Sequence, residues 1–436
     1  MKRIILKKGE ETRILAGHPW VFDNEVDHII GELESGETAD VESARKEYLG
    51  RAFVNPKSKI IARIYSSSKE GVDEGFFRRR IRNALNARWQ YRLTEESARL
   101  VFAEADFLPG LIIDQYIGWA VGDIAGLTGL SYPLTFDVIK KKLGEAKRWL
   151  SIQLLSFGMD LRRNEIVSAL ENIFAVDGTY IAGIVERSAA PVREREGLPL
   201  REGVLKNTFP DTGIVIFENG YPFVVNLLTG QKTGHFLDQK ENHAFCEKIA
   251  AHLSNVLNKK LRILDTFCYT GGFAISAARA TDCEITAVDS SAAALEALKK
   301  NAVLNGSEDK IIRIEDNVFD VLTRYERAKE KFDLIVLDPP AFAKSRSALD
   351  GAIRGYKEIN LKAIKCLNSG GILITCSCSY AMSEQQFKTV IADAAKDADR
   401  RLVQLAFRYQ SSDHPILVGY DESQYLKCGF YRVIKN

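Results

Sequence analysis

Two thiols close a short apolar run, Gly371-Ile-Leu-Ile-Thr-Cys376-Ser-Cys378-Ser379. A second apolar run, Phe332-Asp-Leu-Ile-Val-Leu337, is followed by Asp338-Pro339-Pro340. If both runs are strands of one open α/β sheet, their carboxyl ends face the crevice where such sheets bind ligands. One end then offers a carboxylate and the other a thiol. A thiolate is a strong nucleophile for an electron-poor ring carbon. Added at carbon 6 of a pyrimidine, it makes carbon 5 enamine-like and able to take an electrophile. Side chains two apart in a strand share a face, so Cys376 and Cys378 point the same way if the strand persists. Cys378 lies further out and is the expected nucleophile, with Cys376 as its neighbour. Asp338 is placed to hydrogen-bond the N3 or N4 edge of the base, and the two prolines stiffen that wall.

The electrophile is suggested by Leu264-Asp265-Thr266-Phe267-Cys268-Tyr269-Thr270-Gly271-Gly272-Phe273. Paired glycines between a strand and a helix let a cofactor approach the backbone and the free N–H groups of the helix start. The spacing is not the G-x-G-x-x-G of a dinucleotide loop, which disfavours a nicotinamide oxidoreductase. It resembles the first motif of class I S-adenosylmethionine (SAM) methyltransferases. Asp265, Phe267, Tyr269, Thr270 and Gly271 are therefore expected at the cofactor. Asp289, closing Ile285-Thr-Ala-Val-Asp and followed by Ser290, stands at about the interval of a ribose-binding acid. Asp316-Asn317 resembles the pair that meets the adenine. Cys268 reads as a small loop filler, and His235 and His414 as structural. The Asp338-Pro-Pro-Ala-Phe342 segment also resembles the motif of amino-group methyltransferases, which need no thiol, so N-methylation of a base is the alternative chemistry.

The elements that must position these groups alternate regularly after about Asn207. Strands are expected at Leu261–Asp265, Ile285–Asp289, Ile311–Glu315, Phe332–Asp338, Ile372–Cys376 and Leu402–Phe407, with a helix at Lys240–Leu257. This is the pattern of a doubly wound sheet. A β-rich lead-in, Val215–Phe217 and Phe223–Asn226, precedes it. At the other end, strand-like Ile4–Leu6, Tyr48–Phe53 and Ile60–Tyr65 suggest a small barrel or sandwich. A helix from Phe76 to Arg92 carries six arginines, either solvated or facing phosphate. The middle section mixes patterns, with helical spacing over Pro133–Trp149 and a strand at Ile181–Val185. The expected division is 1–68, 69–206 and 207–436.

Composition sets the outer bounds. The chain has 436 residues, 46% hydrophobic and 27% charged, which describes an ordinary globular protein of two or three domains. No apolar run is long enough for a membrane span, and seven cysteines without disulfide-like spacing suggest reduced thiols in the cytoplasm. The net charge of +2 means that any nucleic-acid surface must come from local clustering.

With these residues in hand, the chain resembles the RlmI-type family of 23S rRNA cytosine-C5 methyltransferases along nearly its whole length. The carriers are Gly17-His-Pro-Trp-Val-Phe22, Leu108-Pro-Gly-Leu111, Gly230-Gln-Lys-Thr-Gly234, Phe236-Leu-Asp-Gln239 and Phe267-Cys-Tyr-Thr-Gly-Gly-Phe273. Further on come Leu337-Asp-Pro-Pro-Ala-Phe-Ala-Lys344, Thr375-Cys-Ser-Cys-Ser379, Asp413-His-Pro415 and Tyr425-Leu-Lys427. The resemblance implies an N-terminal PUA-like RNA-binding domain, a central α/β domain and a C-terminal Rossmann-like class I methyltransferase domain. It implies SAM as cofactor, with Lys232, Thr233, Phe236 and Gln239 near its pocket, and RNA, 23S rRNA in particular, as partner. No metal or membrane is expected, and a homodimer stays open. The region around 125–175 reads as longer and more irregular than the family's usual form, which bears on substrate docking more than on chemistry. A different class of reading is an RNA-binding protein led by the PUA domain, its SAM domain vestigial.

Overall fold

The computed structural model describes residues 2–126, 128, 131–230, 233–343 and 348–435. Three sheets divide them. The first has six strands and spans Arg3–Leu6 to Ile60–Ser66, with strand Tyr48–Val54 between Thr38–Glu42 and Ile60–Ser66. Alternating small and branched residues, among them Ile4, Leu6, Val41, Ala52, Val54 and Ala62, fill its core. Tight turns and short strands are what its glycine- and proline-punctuated sequence favours.

The second sheet has seven strands and is mixed. Its centre is Leu111–Ala120, antiparallel to both Lys147–Leu154 and Ile214–Glu218. Helices Glu74–Ala87 and Arg163–Val176 cover one face through Phe76, Phe77, Ile81, Ile166, Leu170 and Ile173. Two strands expected as a lead-in to the third unit, Ile214–Glu218 and Tyr221–Val225, belong to this sheet instead. Trp149 also differs from expectation: helix Phe136–Leu143 stops early and Trp149 lies in the next strand. Residues 147–176 form strand Lys147–Leu154 and helices Phe157–Asp160 and Arg163–Val176.

The arginine helix starts at the Asp73 cap, whose side chain accepts from Phe76 N, and ends at Ala87 rather than Arg92. The reason is Arg88, which turns inward and is buried. It donates to both oxygens of Asp106 at 2.6 and 2.7 Å and to the carbonyl of Asp413 at 3.0 Å. Arg80 pairs with Glu70 and Arg82 with Asp177. Arg80, Arg82 and Arg88 are thus held within the molecule, while Arg78, Arg79 and Arg92 stay exposed.

The third sheet carries the strands expected from sequence and one more. We label them β1 (Leu261–Thr266), β2 (Cys283–Asp289), β3 (Ile311–Glu315), β4 (Phe332–Leu337), β5 (Leu367–Ser377), β6 (Arg400–Arg408) and β7 (Lys427–Lys435). Their order is β3-β2-β1-β4-β5-β7-β6. The first five run parallel, while β7 is antiparallel to both β5 and β6. Helices α1 (Lys240–Leu257), α2 (Gly272–Ala280), α3 (Ala292–Leu304), α4 (Val318–Ala328), α5 (Leu349–Cys366) and α6 (Glu384–Asp397) cover its faces. The near-continuous apolar runs of β1, β4 and β5 follow from burial on both sides. Strand order reverses at β1, so the crevice between the carboxyl ends of β1 and β4 is the expected ligand site.

The three units share buried polar joints. Arg63 of the first sheet donates to Glu104 and to Glu196, both at 2.9 Å, and all three side chains are buried. The Trp20 indole also donates to Glu104, at 2.8 Å. Glu218, on the second sheet, bonds His235 at 2.8 Å and His243 of α1 at 2.6 Å. Burial would raise the Glu218 carboxyl, but the two imidazoles hold it well below its ordinary value. Among the described residues no helix is long and apolar enough to cross a membrane.

Candidate active site

A cavity of about 300 Å³ opens at the crevice between β1 and β4. This is at the lower end of the range for small-molecule sites, about 300–1,000 Å³. Its walls come from the carboxyl ends of four strands. Phe267 and Tyr269 follow β1, Asp289 ends β2 with Ser290 and Ser291 beyond it, Asp338-Pro339-Pro340 follow β4, and Cys378 follows β5. Phe236, Asp238, Gln239 and Leu426 complete the lining.

The turn after β1 is held in an unusual shape. Phe267 and Tyr269 have φ of 56° and 47°, the left-handed region that non-glycine residues seldom occupy. Tyr269 N donates to one Asp289 oxygen and Ser291 N to the other, both at 2.9 Å, so the carboxylate ties the β1 and β2 loops together. Gly271 caps α2 at φ 91°, and a Cβ there would lie 2.1 Å from Leu298. A Cβ on Gly272 would lie 2.2 Å from the His243 ring. Gly271 is therefore required by its left-handed φ and Gly272 by the His243 ring packed against it, and both leave the α2 N-terminus next to the cavity. Asp265 is buried behind this turn, with one oxygen accepting from Ala274 N and the other unpartnered among the described residues. Burial, then the nearby Asp338, pushes its carboxyl up to about 8.

On the opposite wall, Gln239 Nε2 donates to Asp338 Oδ2 at 3.0 Å. Gln239 is itself fixed by Asn242, which donates to its Oε1 at 2.7 Å. Asp238 accepts from Tyr425 OH at 2.6 Å. The strand carrying the thiols ends at Ser377, so the condition for both to face one way fails. Cys376 is wholly buried, its Sγ 3.2 Å from that of Cys428 directly opposite on β7. Burial and that neighbour push the Cys376 thiol well up. Cys378 leaves the strand, reaches the cavity, and is the one cysteine of the seven that is not buried. Its Sγ lies 3.9 Å from the Pro339 carbonyl.

Of the residues expected at this site, Phe236, Gln239, Phe267, Tyr269, Asp289, Ser290, Asp338 and Cys378 line one cavity. Asp265, Thr270 and Gly271 form the layer behind it. Thr233 is buried and accepts from Tyr116 OH at 3.3 Å, while Lys232 lies outside the described residues. Asp316 is paired with Arg324 at 2.7 Å and Asn317 caps α4, so neither is in the cavity lining. His235 and His414 are buried against carboxylates, as the structural reading expects. Asp238 and Leu426 were not singled out as site residues. Their signal was the company they keep, inside Phe236-Leu-Asp-Gln239 and Tyr425-Leu-Lys427.

Sheet order, antiparallel β7 and crevice define a Rossmann-like methyltransferase fold, and two family models agree. Residues 4–67 match a PUA-like domain, and residues 206–419 match S-adenosylmethionine-dependent methyltransferases. A SAM-dependent methyltransferase from Streptococcus mutans superposes with a TM-score of 0.75 at 19% identity, over 99% of this chain and 100% of that one. A methyltransferase solved with SAH bound gives 0.77 at 19% identity, with the same coverage. The chain is thus a SAM-dependent methyltransferase joined to a PUA-like domain.

Full-length relatives narrow the class. The ribosomal RNA large subunit methyltransferase I of Klebsiella pneumoniae (strain 342) is 36% identical over 438 residues, covering 99% of this chain and 98% of that protein. The protein of the same name from Tolumonas auensis is 38% identical over 436 residues and covers 99% of each. This chain belongs to the ribosomal RNA large subunit methyltransferase I family.

Proposed function

We propose that this protein methylates carbon 5 of a cytosine in 23S rRNA, with Cys378 as the covalent nucleophile. The observation that carries the reading is that Cys378, alone among the cysteines, shares a cavity with Asp338 and Asp289. The relatives' names supply the large-subunit rRNA.

The cavity residues fit SAM. Asp289 would take the ribose hydroxyls, Phe236, Phe267 and Tyr269 supply aromatic walls, and the α2 N-terminus offers free N–H groups. Bound there, SAM supplies a methyl group activated on a sulfonium. The Cys378 thiolate adds to carbon 6 of the flipped-out cytosine and pushes an electron pair to carbon 5. Asp338, oriented by Gln239, holds the N3–N4 edge of the ring against the Pro339-Pro340 wall. Carbon 5 takes the methyl group, a base removes its proton, and the returning electron pair expels the Cys378 sulfur.

The N-methylation alternative would use Phe342 to stack on the base. That ring instead packs against Tyr356 at 4.6 Å and Phe319 at 5.9 Å, and it is absent from the cavity lining. The test is incubation with SAM and rRNA containing 5-fluorocytosine, whose carbon 5 has no proton to lose. A covalent protein–RNA adduct is expected with the native chain and is lost in Cys378→Ala. Methyl transfer to normal rRNA with no adduct to the fluorinated one would remove the thiol mechanism. An adduct that survives Cys378→Ala but not Cys376→Ala would reassign the nucleophile. Failure to bind SAM would favour the vestigial reading.

A further inference from the structure

Lys427 begins β7 directly opposite Ser377, the last residue of β5, and only 3% of it is exposed. Its ammonium donates to the carbonyl of Ser379 at 3.0 Å and to that of Met382 at 2.8 Å. These two carbonyls belong to the turn that carries Cys378 away from the strand. A buried ammonium is a costly way to satisfy carbonyls, since a neutral amide would do so without stripping water from a charge. The charge itself therefore calls for a reason.

Cys378 supplies one. We propose that Lys427 is a positioning residue that fixes the Cys378 turn and keeps the Cys378 sulfur in its thiolate form. The inference rests on Cys378 being the nucleophile. Burial pushes the Lys427 ammonium down to about 8, while Cys378 and Glu384 pull it back up. The groups around the pair come from several elements. Asp338 at the end of β4 shares the cavity with Cys378. Tyr356 of α5, pushed up to about 12 by burial, feels the Cys378 charge and bonds Ser377 and Ser379 at 2.9 Å each. Glu384 at the start of α6 faces Lys427, together with Asp421 and Tyr380, around a neighbouring cleft of about 370 Å³. Asp338 is the acid that shares the cavity with the thiol, and Lys427 is the cation held at the turn of the thiol. Glu384, held also by Lys388 and Tyr409 at 2.6 Å each, competes for the same ammonium.

The pH dependence of iodoacetamide labelling on the full-length protein, read by mass spectrometry of the Cys378 peptide, tests this without RNA. The other six cysteines are buried. Lys427→Gln keeps a donor but removes the charge. It is expected to move the labelling profile to higher pH and slow labelling at pH 7 about tenfold. Lys427→Arg keeps the profile within about twofold. Glu384→Gln moves it to lower pH and carries the test alone should Lys427→Gln fail to fold. A profile unmoved by removal of either charge overturns the proposal. Methylation lost in Cys378→Ala with an unmoved profile removes only the role of Lys427. Methylation that survives Cys378→Ala removes the nucleophile itself.

Discussion

Replacing Arg63 by methionine should loosen the PUA-like domain from the rest of the molecule. The guanidinium bridges Glu104 and Glu196, which are 6% and 2% exposed, and its loss leaves two buried carboxylates without their cation. Breaking a buried pair by removing one partner costs about 3–5 kcal/mol. The lower end applies here, because each carboxylate keeps neutral donors. Glu104 still accepts from the Trp20 indole, and Glu196 from Ser58 at 3.0 Å and Asn55 at 3.1 Å. About 3 kcal/mol is therefore expected from the first transition of a urea titration, since multi-domain chains depart from two-state unfolding. Proteolysis between the first and second sheets should accelerate in parallel. SAM affinity should hold, since the cavity lies elsewhere, while KM for rRNA rises. Adding Glu104→Gln and Glu196→Gln to Arg63→Met removes the stranded charges and should recover at least half of the loss. A triple variant no more stable than the single one would refute the argument, as would a single-variant cost below about 1 kcal/mol.

Three further outcomes are expected. Cys376→Ala should cost about 1 kcal/mol by calorimetry, through a small cavity against Cys428, and leave methylation within about threefold; loss of activity at unchanged stability would contradict this. Gly272→Ala drives a methyl group into His243, which Glu218 pins, and should cost about 1–3 kcal/mol and weaken SAM binding at least tenfold by titration calorimetry. Asp265 is raised on folding, so its stabilising contribution is fully present below the ordinary carboxylate pKa and is lost as pH rises through about 8. Asp265→Asn should flatten the stability profile of the ligand-free protein between about pH 4 and 8, and identical slopes for the two proteins would sink the assignment.

The parallel core of the third sheet could be read from sequence because β1, β4 and β5 are apolar on both faces and punctuated by helices. Strand β7 was missed: Lys427-Cys-Gly-Phe-Tyr-Arg-Val-Ile-Lys435 has a lysine at its start and a glycine inside it, and pairs with residues more than 50 positions away at Cys376. Long-range pairing also explains why the sheet that Ile214–Glu218 and Tyr221–Val225 join was not legible. Nothing local says that they join a strand at 111–120. The arginine helix ended early because Arg88 found a carboxylate and a carbonyl in tertiary structure, which helical spacing cannot announce. At the site, alternation placed both thiols on one face, but the chain leaves the sheet between them. The choice of Cys378 rested on its lying further out, and it is the thiol that reaches the cavity. Phe236, Gln239, Asp289 and Asp338 were legible as motifs, whereas the Asp289 tie between two loops needed coordinates.

The insertion of β7 between β5 and β6 has a bearing on synthesis. Both neighbours precede it in the chain, so during translation they emerge without the strand that bridges them, and the edge of β5 stays open. Until Lys427 arrives, the turn bearing Cys378 also lacks the ammonium that binds its carbonyls. A nascent chain therefore holds β1, β2 and β4, which wall the crevice, before Lys427 reaches the carbonyls of Ser379 and Met382. Under the proposed mechanism, the cofactor side of the site forms first and the turn of the nucleophile is fixed after it.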